Sequence, residues 1–364
     1  MDRTTYGLDI AKRVMQVYWV DHQTWEIGRR VLKRSQLMAF FGRRPDARIV
    51  LEACGSGHYW ARQLSRLGHE VRLIHAKRVR PFVRGNKNDA ADAQAIWVAA
   101  QQPDVRWVPL KSEEQQAVLS LHRVRSQWIK VRTQMVNGLR GLLYEFGVVL
   151  PGGRLAGLKA ISTARAEIEQ AVPALMRPVI DGQLQALREV DARIEALQAQ
   201  LQGLESQLPT ARRVRQIPGV GLLGSTALAG VLGADARGYR SGREFAACLG
   251  LLPTHRGTGG KVTVGSLSRR GDPYLRTLLI HGARSVILHA RQRSPWLEAM
   301  LARRPKNVVA VALANKQERP GRWWPTAATT RQAGSRRRIR PFTNPHRSSS
   351  PFFRTSIGRL MRNQ

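Results

Sequence analysis

Four acidic side chains, Asp9, Glu52, Asp89 and Asp92, stand in a chain that otherwise avoids acid. Lys and Arg number 60 against 25 Asp and Glu, a formal charge of +35. That balance points to a polyanionic partner, because each cation set against a phosphate releases condensed counterions. Carboxylates repel such a partner unless a divalent cation lies between them and a phosphate. All-carboxylate oxygen donors suit Mg²⁺. The chemistry that this set supports with Mg²⁺ is scission of a phosphodiester.

The acids fall where strands and a helix must position them. Tyr6 to Ala11 reads as a buried strand with Asp9 near its end. Val14 to Val20 and Trp25 to Val31 read as the next two strands of a meander turning at Asp21 to Thr24. Arg48 to Glu52 is a short apolar strand ending in Glu52. An amphipathic helix through Trp60, Leu64 and Leu67 follows, and Val71 to His75 makes a fifth strand. Asp89 and Asp92 open a helix, and their i, i+3 spacing puts them on one face. An acid in a first helical turn also serves the macrodipole without any catalysis. The conjunction of all four, in this order, carries the chemical reading. Strand-end Asp, strand-end Glu and a helical Asp pair converging at one end of a sheet is the layout of an RNase H-like fold holding two metal ions about 3.5–4 Å apart.

At 364 residues and 43% hydrophobic composition the chain is long enough for two domains and a connection. The expected division is an α/β domain over 1–105, a helical arm over 106–210, a mainly helical domain over 211–316 and a basic tail over 317–364. The two cysteines, Cys54 and Cys248, suit neither a disulfide scaffold nor a zinc site, so a reducing compartment is expected. The first residues lack an apolar leader, and no run approaches the length of a membrane span. A cytoplasmic protein is expected.

The arm carries helical periodicity from Glu113 to Phe146, interrupted by Gly138 and Gly141. Leu187, Val190, Ile194, Leu197, Leu201, Leu204 and Leu208 then step by 3 and 4 in alternation, a heptad seam ending at Pro209. Such a seam packs either on the chain's own preceding helix or in a dimeric coiled coil. Beyond it, Ile217-Pro218-Gly219-Val220-Gly221 between two short helices reads as a helix–hairpin–helix. There Gly219 and Gly221 let the backbone approach a phosphate at a positive helix end. A Gly-rich turn between two packed helices has the same pattern.

The segment FAACLGLLPTHRGTGGKVTVGSLSRRGDPYLRTLLIHGAR, taken with GLDIAK, LEACG and NKNDAADA, closely resembles the insertion-sequence one-ten family of transposases, in particular its eleven-eleven subgroup. The resemblance runs from about Tyr6 to Lys316. It implies a RuvC-like DEDD domain, a helical arm and a C-terminal transposase domain. It also implies donor and target DNA as partners, a non-coding bridge RNA that chooses the sites, and a bacterial, nucleoid-associated location. A homo-oligomer, dimer or tetramer, is expected. By motif match Asp9, Glu52, Asp89 and Asp92 are the metal ligands.

The family's C-terminal domain attacks DNA through a serine five residues after the proline of its G-L-x-P motif. Counted from Pro253, that position is Thr258, whose methyl group crowds in-line attack. Ser266 and Ser268 are the alternative hydroxyls. Gly257, Gly259 and Gly260 would let the backbone reach the phosphate, and Lys261, Arg269, Arg270 and Arg276 are candidate phosphate contacts. After Lys316 the helical pattern stops and an Arg-, Ser- and Pro-rich stretch follows. This fits either an RNA-binding disordered tail or a shifted reading frame in a decaying element, and the second is favoured. Two other classes stay open: a structure-selective RuvC-like endonuclease with no protein nucleophile, and a nucleic-acid-binding remnant without chemistry.

Overall fold

A computed structural model describes residues 3–21, 23–83, 89–151, 165–233, 239, 241–268 and 271–317. The N-terminal part is a mixed sheet built from β1 (Thr5–Ile10), β2 (Val14–Val20), β3 (Ile27–Lys33), β4 (Arg48–Glu52), β5 (Glu70–Ile74) and β6 (Trp107–Val108). Its order is β3-β2-β1-β4-β5-β6. The first three strands form an antiparallel meander, β1, β4 and β5 run parallel, and β6 returns antiparallel to β5. Between strands lie the helices α1 (Leu37–Gly42), α2 (Gly57–Arg66), α3 (Ala76–Val79) and α4 (Asp89–Ala100).

Side chains alternate across this sheet and make two cores. Tyr6, Leu8, Met15, Val17, Ile49, Leu51 and Leu73 face α1 and α2, meeting Leu37, Phe41, Trp60 and Leu64. Val50 and Ile74 face the other way and pack on Ala95, Ile96 and Ala99 of α4. Gly7 lies on the α4 side, and a Cβ there would stand 2.3 Å from the Ala93 carbonyl oxygen and 2.8 Å from the Trp97 nitrogen. Any larger residue would force α4 off the sheet.

The third strand begins two residues later than its apolar pattern suggests. Asp21 accepts hydrogen bonds from the backbone nitrogens of Gln23 and Thr24, at 2.8 and 3.1 Å, which lengthens the turn. Trp25 consequently sits at φ 62°, among the described residues the one non-glycine in that left-handed region.

The middle of the chain is a long helix, α5 (Glu113–Glu145), then α6 (Arg165–Ala171) and α7 (Arg177–Glu205). Ser112 and Gln115 form a reciprocal capping box that starts α5 sharply. Neither Gly138 nor Gly141 breaks it. The heptad seam packs on the chain's own helix: Arg125 reaches Gln198 at 3.2 Å and Arg132 reaches Asp191 at 2.9 Å, so α5 and α7 run antiparallel. Leu187, Val190, Ile194 and Leu201 are buried within the single chain. Leu139 and Leu143 of α5 meet Ile168, Val172 and Ile180 at the far end of this hairpin.

The remaining elements are α8 (Pro209–Arg215), α9 (Leu222–Leu232), α10 (Gly242–Cys248), β7 (Pro253–Thr258), β8 (Lys261–Leu267), α11 (Pro273–His289), α12 (Pro295–Arg303) and α13 (Lys306–Gln317). Their helices enclose one core around Leu228, Phe245, Leu279, Ala283 and Val309. The beginning of α5 is part of this assembly, since Gln115 donates to the Gly230 carbonyl at 3.2 Å. Asn315 Nδ2 donates to the Leu251 carbonyl at 3.0 Å, so the helix expected near the end of the family-like pattern is packed in place. The tail from 318 onward lies outside the described residues. Among the described residues no helix is long and apolar enough to cross a membrane.

Candidate active site and nucleic-acid surfaces

Register places the first two acids side by side. Leu8 of β1 is level with Leu51 of β4, and the strands are parallel, so Asp9 and Glu52 are level one residue further on. Leu8 and Leu51 point into the α2-side core, which sends Asp9 and Glu52 to the α4 side. Gln16 is paired with Asp9 across β1 and β2 and shares that face.

Helix α4 runs against β1 in the opposite direction. Trp97 Nε1 donates to the Thr5 carbonyl at 3.0 Å, and Ala93 lies over Gly7. Continuing the same crossing brings the first turn of α4, with Asp92, toward Asp9 and Glu52. All three carboxylates are half-buried. Asp89 starts α4 one turn before Asp92, and its side chain lies outside the described residues. Among the described residues no three His, Cys, Asp or Glu side chains close into a ligand shell by themselves. The donor type nevertheless fits a hard divalent cation, being entirely carboxylate, and Asp9 and Glu52 share one face of the sheet.

The loops after these strands are basic. Lys12 and Arg13 follow β1, while Lys77 and Arg78 follow β5, and all four are exposed. The loops at this end of the sheet are therefore rich in cations. Behind Glu52, on α2, a cluster that sequence reading missed ties the sheet to the start of α5. Lys111 Nζ lies 3.2 Å from His58 Nε2, and Arg62 donates to the Lys111 carbonyl at 2.8 Å and to Gln116 at 2.6 Å. Burial, then the charges of Lys111 and Arg62, push the His58 pKa down to about 4. The neutral imidazole accepts the Lys111 backbone N–H at Nδ1, at 3.3 Å. No pattern in the sequence marks this cluster, because its members come from segments about fifty residues apart.

Thr258 occupies the tip of a two-stranded hairpin. It pairs with Lys261 across a two-residue turn, in which Gly259 and Gly260 have φ of 57° and 80°. Two positive φ values in succession are what a tight I′-type hairpin turn demands. Thr258 and Lys261 are cross-strand partners, so their side chains share one face, and both are exposed. A Cβ on Gly257 would stand 2.5 Å from the Lys261 carbonyl oxygen, so this glycine permits the close strand approach. Ser266 lies at the opposite end, where its carbonyl accepts from Thr254 Oγ1 at 3.1 Å, and Ser268 follows the hairpin. The signal for a hairpin was present as Gly-Gly between β-branched runs. Reading the glycines only as phosphate neighbours missed it. Among the described residues the hairpin strands share their extensive contacts with each other, not with β1, β4 or α4.

Of the candidate cations, Arg269 and Arg270 lie outside the described residues. Arg276 has a structural task, donating from Nη1 to the Leu249 carbonyl at 3.1 Å, where α10 ends. In the turn between α8 and α9, Gly219 has φ 85° and its Cβ would stand 2.5 Å from the Gly282 carbonyl oxygen of α11. Backbone packing therefore explains the glycine at 219. Gly221 caps α9 with extended backbone, and the Arg215 guanidinium lies 3.3 Å from where its Cβ would be. Exposed glycines, a helix N-terminus and a guanidinium thus meet at one place, as a phosphate contact requires.

Beneath this turn His122 of α5 is fully buried. Its Nδ1 lies 2.9 Å from the Tyr274 hydroxyl and its Nε2 lies 3.0 Å from Thr226 Oγ1. Thr226 gives its own proton to the Leu222 carbonyl at 2.7 Å, so Nε2–H donates to it and Nδ1 accepts from tyrosine. Burial, reinforced by Arg125, holds the His122 pKa down at about 4. An unfolded histidine binds its proton near pH 6.5, so this network stabilises the fold above that value and loses its contribution as pH falls toward 4. Between pH 7.5 and 4.5 the loss is roughly 2–3 kcal/mol. Urea unfolding at both pH values should show it, and His122→Gln should lose stability at pH 7.5 but show a smaller pH dependence. An equal pH dependence in that variant would remove the network as its source.

Comparison with known proteins adds two family matches and three relatives. Residues 6–147 match a family model of DEDD transposases of the IS110 type, and residues 211–299 match the Transposase IS116/IS110/IS902 family. The chain is 47% identical over 324 residues to a "Probable family 20 transposase" of Pseudomonas aeruginosa, covering 88% of this chain and 96% of that protein. It is 36% identical over 320 residues to the "Transposase for insertion sequence element IS1328" of Yersinia enterocolitica, covering 87% and 95%. It is 34% identical over 314 residues to the "Transposase for insertion sequence element IS1111A" of Coxiella burnetii, covering 85% and 86%.

Proposed function

Because the chain belongs to the IS110/IS116 family of insertion-sequence transposases, and so acts on DNA, we propose that it exchanges DNA strands with an RNase H-like acidic site and a hydroxyl nucleophile. The observation that supports this reading is the parallel register of β1 and β4, which makes Asp9 and Glu52 level neighbours. Asp9, Glu52, Asp89 and Asp92 would hold Mg²⁺, which when bound neutralises phosphate charge and lowers the barrier to scission.

The hydroxyl of Thr258 forms the new bond to phosphorus. A strand oxygen leaves with the electrons of the broken P–O bond and takes up a proton. The phosphoester energy stays in a threonine–DNA link until a second strand end reverses the step. Lys261, across the hairpin from Thr258, stabilises the charge that develops on the phosphate oxygens. Gly221 and Arg215, together with the exposed glycines 259 and 260, support the reading of backbone contacts that position the duplex. Site choice by a non-coding RNA belongs to this proposal, as does assembly into a homo-oligomer.

The test is strand exchange between donor and target DNA by purified protein, with and without the element's RNA, in Mg²⁺ and in chelator. Recombinant product is expected in Mg²⁺ with RNA alone. Full activity in chelator would remove the acidic site from the account, and site choice unchanged without RNA would replace guidance by direct readout.

A further inference from the structure

A second basic surface lies on the face of the sheet away from the acids. Lys12 and Arg13 come from the β1–β2 turn, and Lys33 and Arg34 from the end of β3. They meet because Val14 is level with Lys33 and the Arg34 nitrogen donates to the Arg13 carbonyl at 3.0 Å. With Tyr59 and Trp60 of α2 they line a cleft of about 790 Å³. Among the described residues no carboxylate lines it. Four exposed cations gathered without an acid repel one another, and an anion between them removes that cost.

The aromatic pair makes the anion more specific. Tyr59 is 43% exposed and packs edge-on against Trp60, with ring centroids 5.1 Å apart. Trp60 is only 4% exposed, carries the Arg34 guanidinium 4.8 Å above its ring, and has a buried Nε1–H with no acceptor. An indole N–H left without an acceptor is costly, and an incoming oxygen can satisfy it. An exposed ring amid a groove of cations is the equipment for an unpaired base and its backbone, since every base has a face that stacks. A duplex keeps its base faces covered and gains nothing from Tyr59.

We propose that this cleft binds a single-stranded stretch of nucleic acid, with phosphates on Lys12, Arg13, Lys33 and Arg34 and a base stacked on Tyr59. Lys12 is three residues beyond Asp9 and Tyr59 is seven beyond Glu52, so the cleft opens at the same end of the sheet as the acids. The inference rests on the chain's action on nucleic acid, and not on the chemistry assigned to the acids or to Thr258.

Fluorescence anisotropy with labelled single-stranded DNA, single-stranded RNA and duplex DNA of the same sequence tests it on the full chain. Tyr59→Ala should weaken single-strand binding about 5- to 100-fold, in the DNA arm, the RNA arm or both, and the affected arm names the source. Tyr59→Phe should bind like wild type, and duplex affinity should be unchanged in both variants. Lys33→Ala with Arg34→Ala should flatten the slope of log affinity against log salt by about 1.4 for single strands. Asp92→Asn should bind single strands like wild type, which separates this site from the acidic one. Single-strand affinity unchanged in Tyr59→Ala, or an equal loss on the duplex, overturns the proposal.

Discussion

Asp9→Asn or Asp92→Asn is expected to abolish strand exchange while nucleic-acid binding stays close to wild type. Asparagine keeps the size and much of the hydrogen-bonding shape of aspartate but removes its charge, so the sheet and α4 should fold as before. What is lost is one of the carboxylates that balance a divalent cation against the phosphate. With 60 Lys and Arg residues supplying the attraction, removal of one acid near the DNA should leave affinity equal or slightly raised. Product formation should fall by at least ~10³-fold, the scale on which a misplaced transition-state charge acts. Quantifying recombinant DNA beside a binding isotherm and a melting curve separates these effects. Wild-type exchange in either variant would mean that the acids at the strand ends only support α4.

The second large effect is expected at Thr258. Thr258→Ala should eliminate any covalent protein–DNA adduct, and Thr258→Ser should keep or raise it, because loss of the methyl opens the in-line path. The hairpin makes this experiment decisive. Thr258 is at its tip and Ser266 near its base, about 17 Å apart by strand rise, so the two hydroxyls cannot reach the same phosphorus. Neither variant should disturb the fold, as Thr258 is exposed and its cross-strand neighbour Lys261 is exposed as well. Peptide mapping of the trapped adduct reads the result directly. An adduct at Ser266 or Ser268, or one that persists in Thr258→Ala, removes threonine from the mechanism.

Much of the framework was legible in the chain because local physics decides it. Arg48–Glu52 is a strand at the bounds its apolar pattern suggests, and a short helix, Leu222–Leu232, follows the Gly219–Gly221 turn as expected. The strand that carries Asp9 and the helix that opens with Asp89 and Asp92 follow from periodicity in the same way. A turn governed by side-chain hydrogen bonds is less legible, and the Asx turn at Asp21 moved the start of β3 past Trp25.

The amino-acid sequence by itself determined that this protein is strongly basic, that it carries the acids Asp9, Glu52, Asp89 and Asp92, and which strands and helix bear them. These are properties of composition and of nearest neighbours along the chain, and no tertiary contact is needed to read them. Only the tertiary structure decided which face Asp9 and Glu52 take. That depends on the parallel register of β1 with β4 and on Gly7, whose missing Cβ admits α4. The heptad seam likewise suited a partner chain or its own, until the antiparallel contacts of Arg125 and Arg132 placed it on α5. The His58–Lys111 pair, the His122 network and the basic cleft at Tyr59 join segments far apart in sequence. Such sites are products of packing, which fixes distance without leaving a local pattern to read.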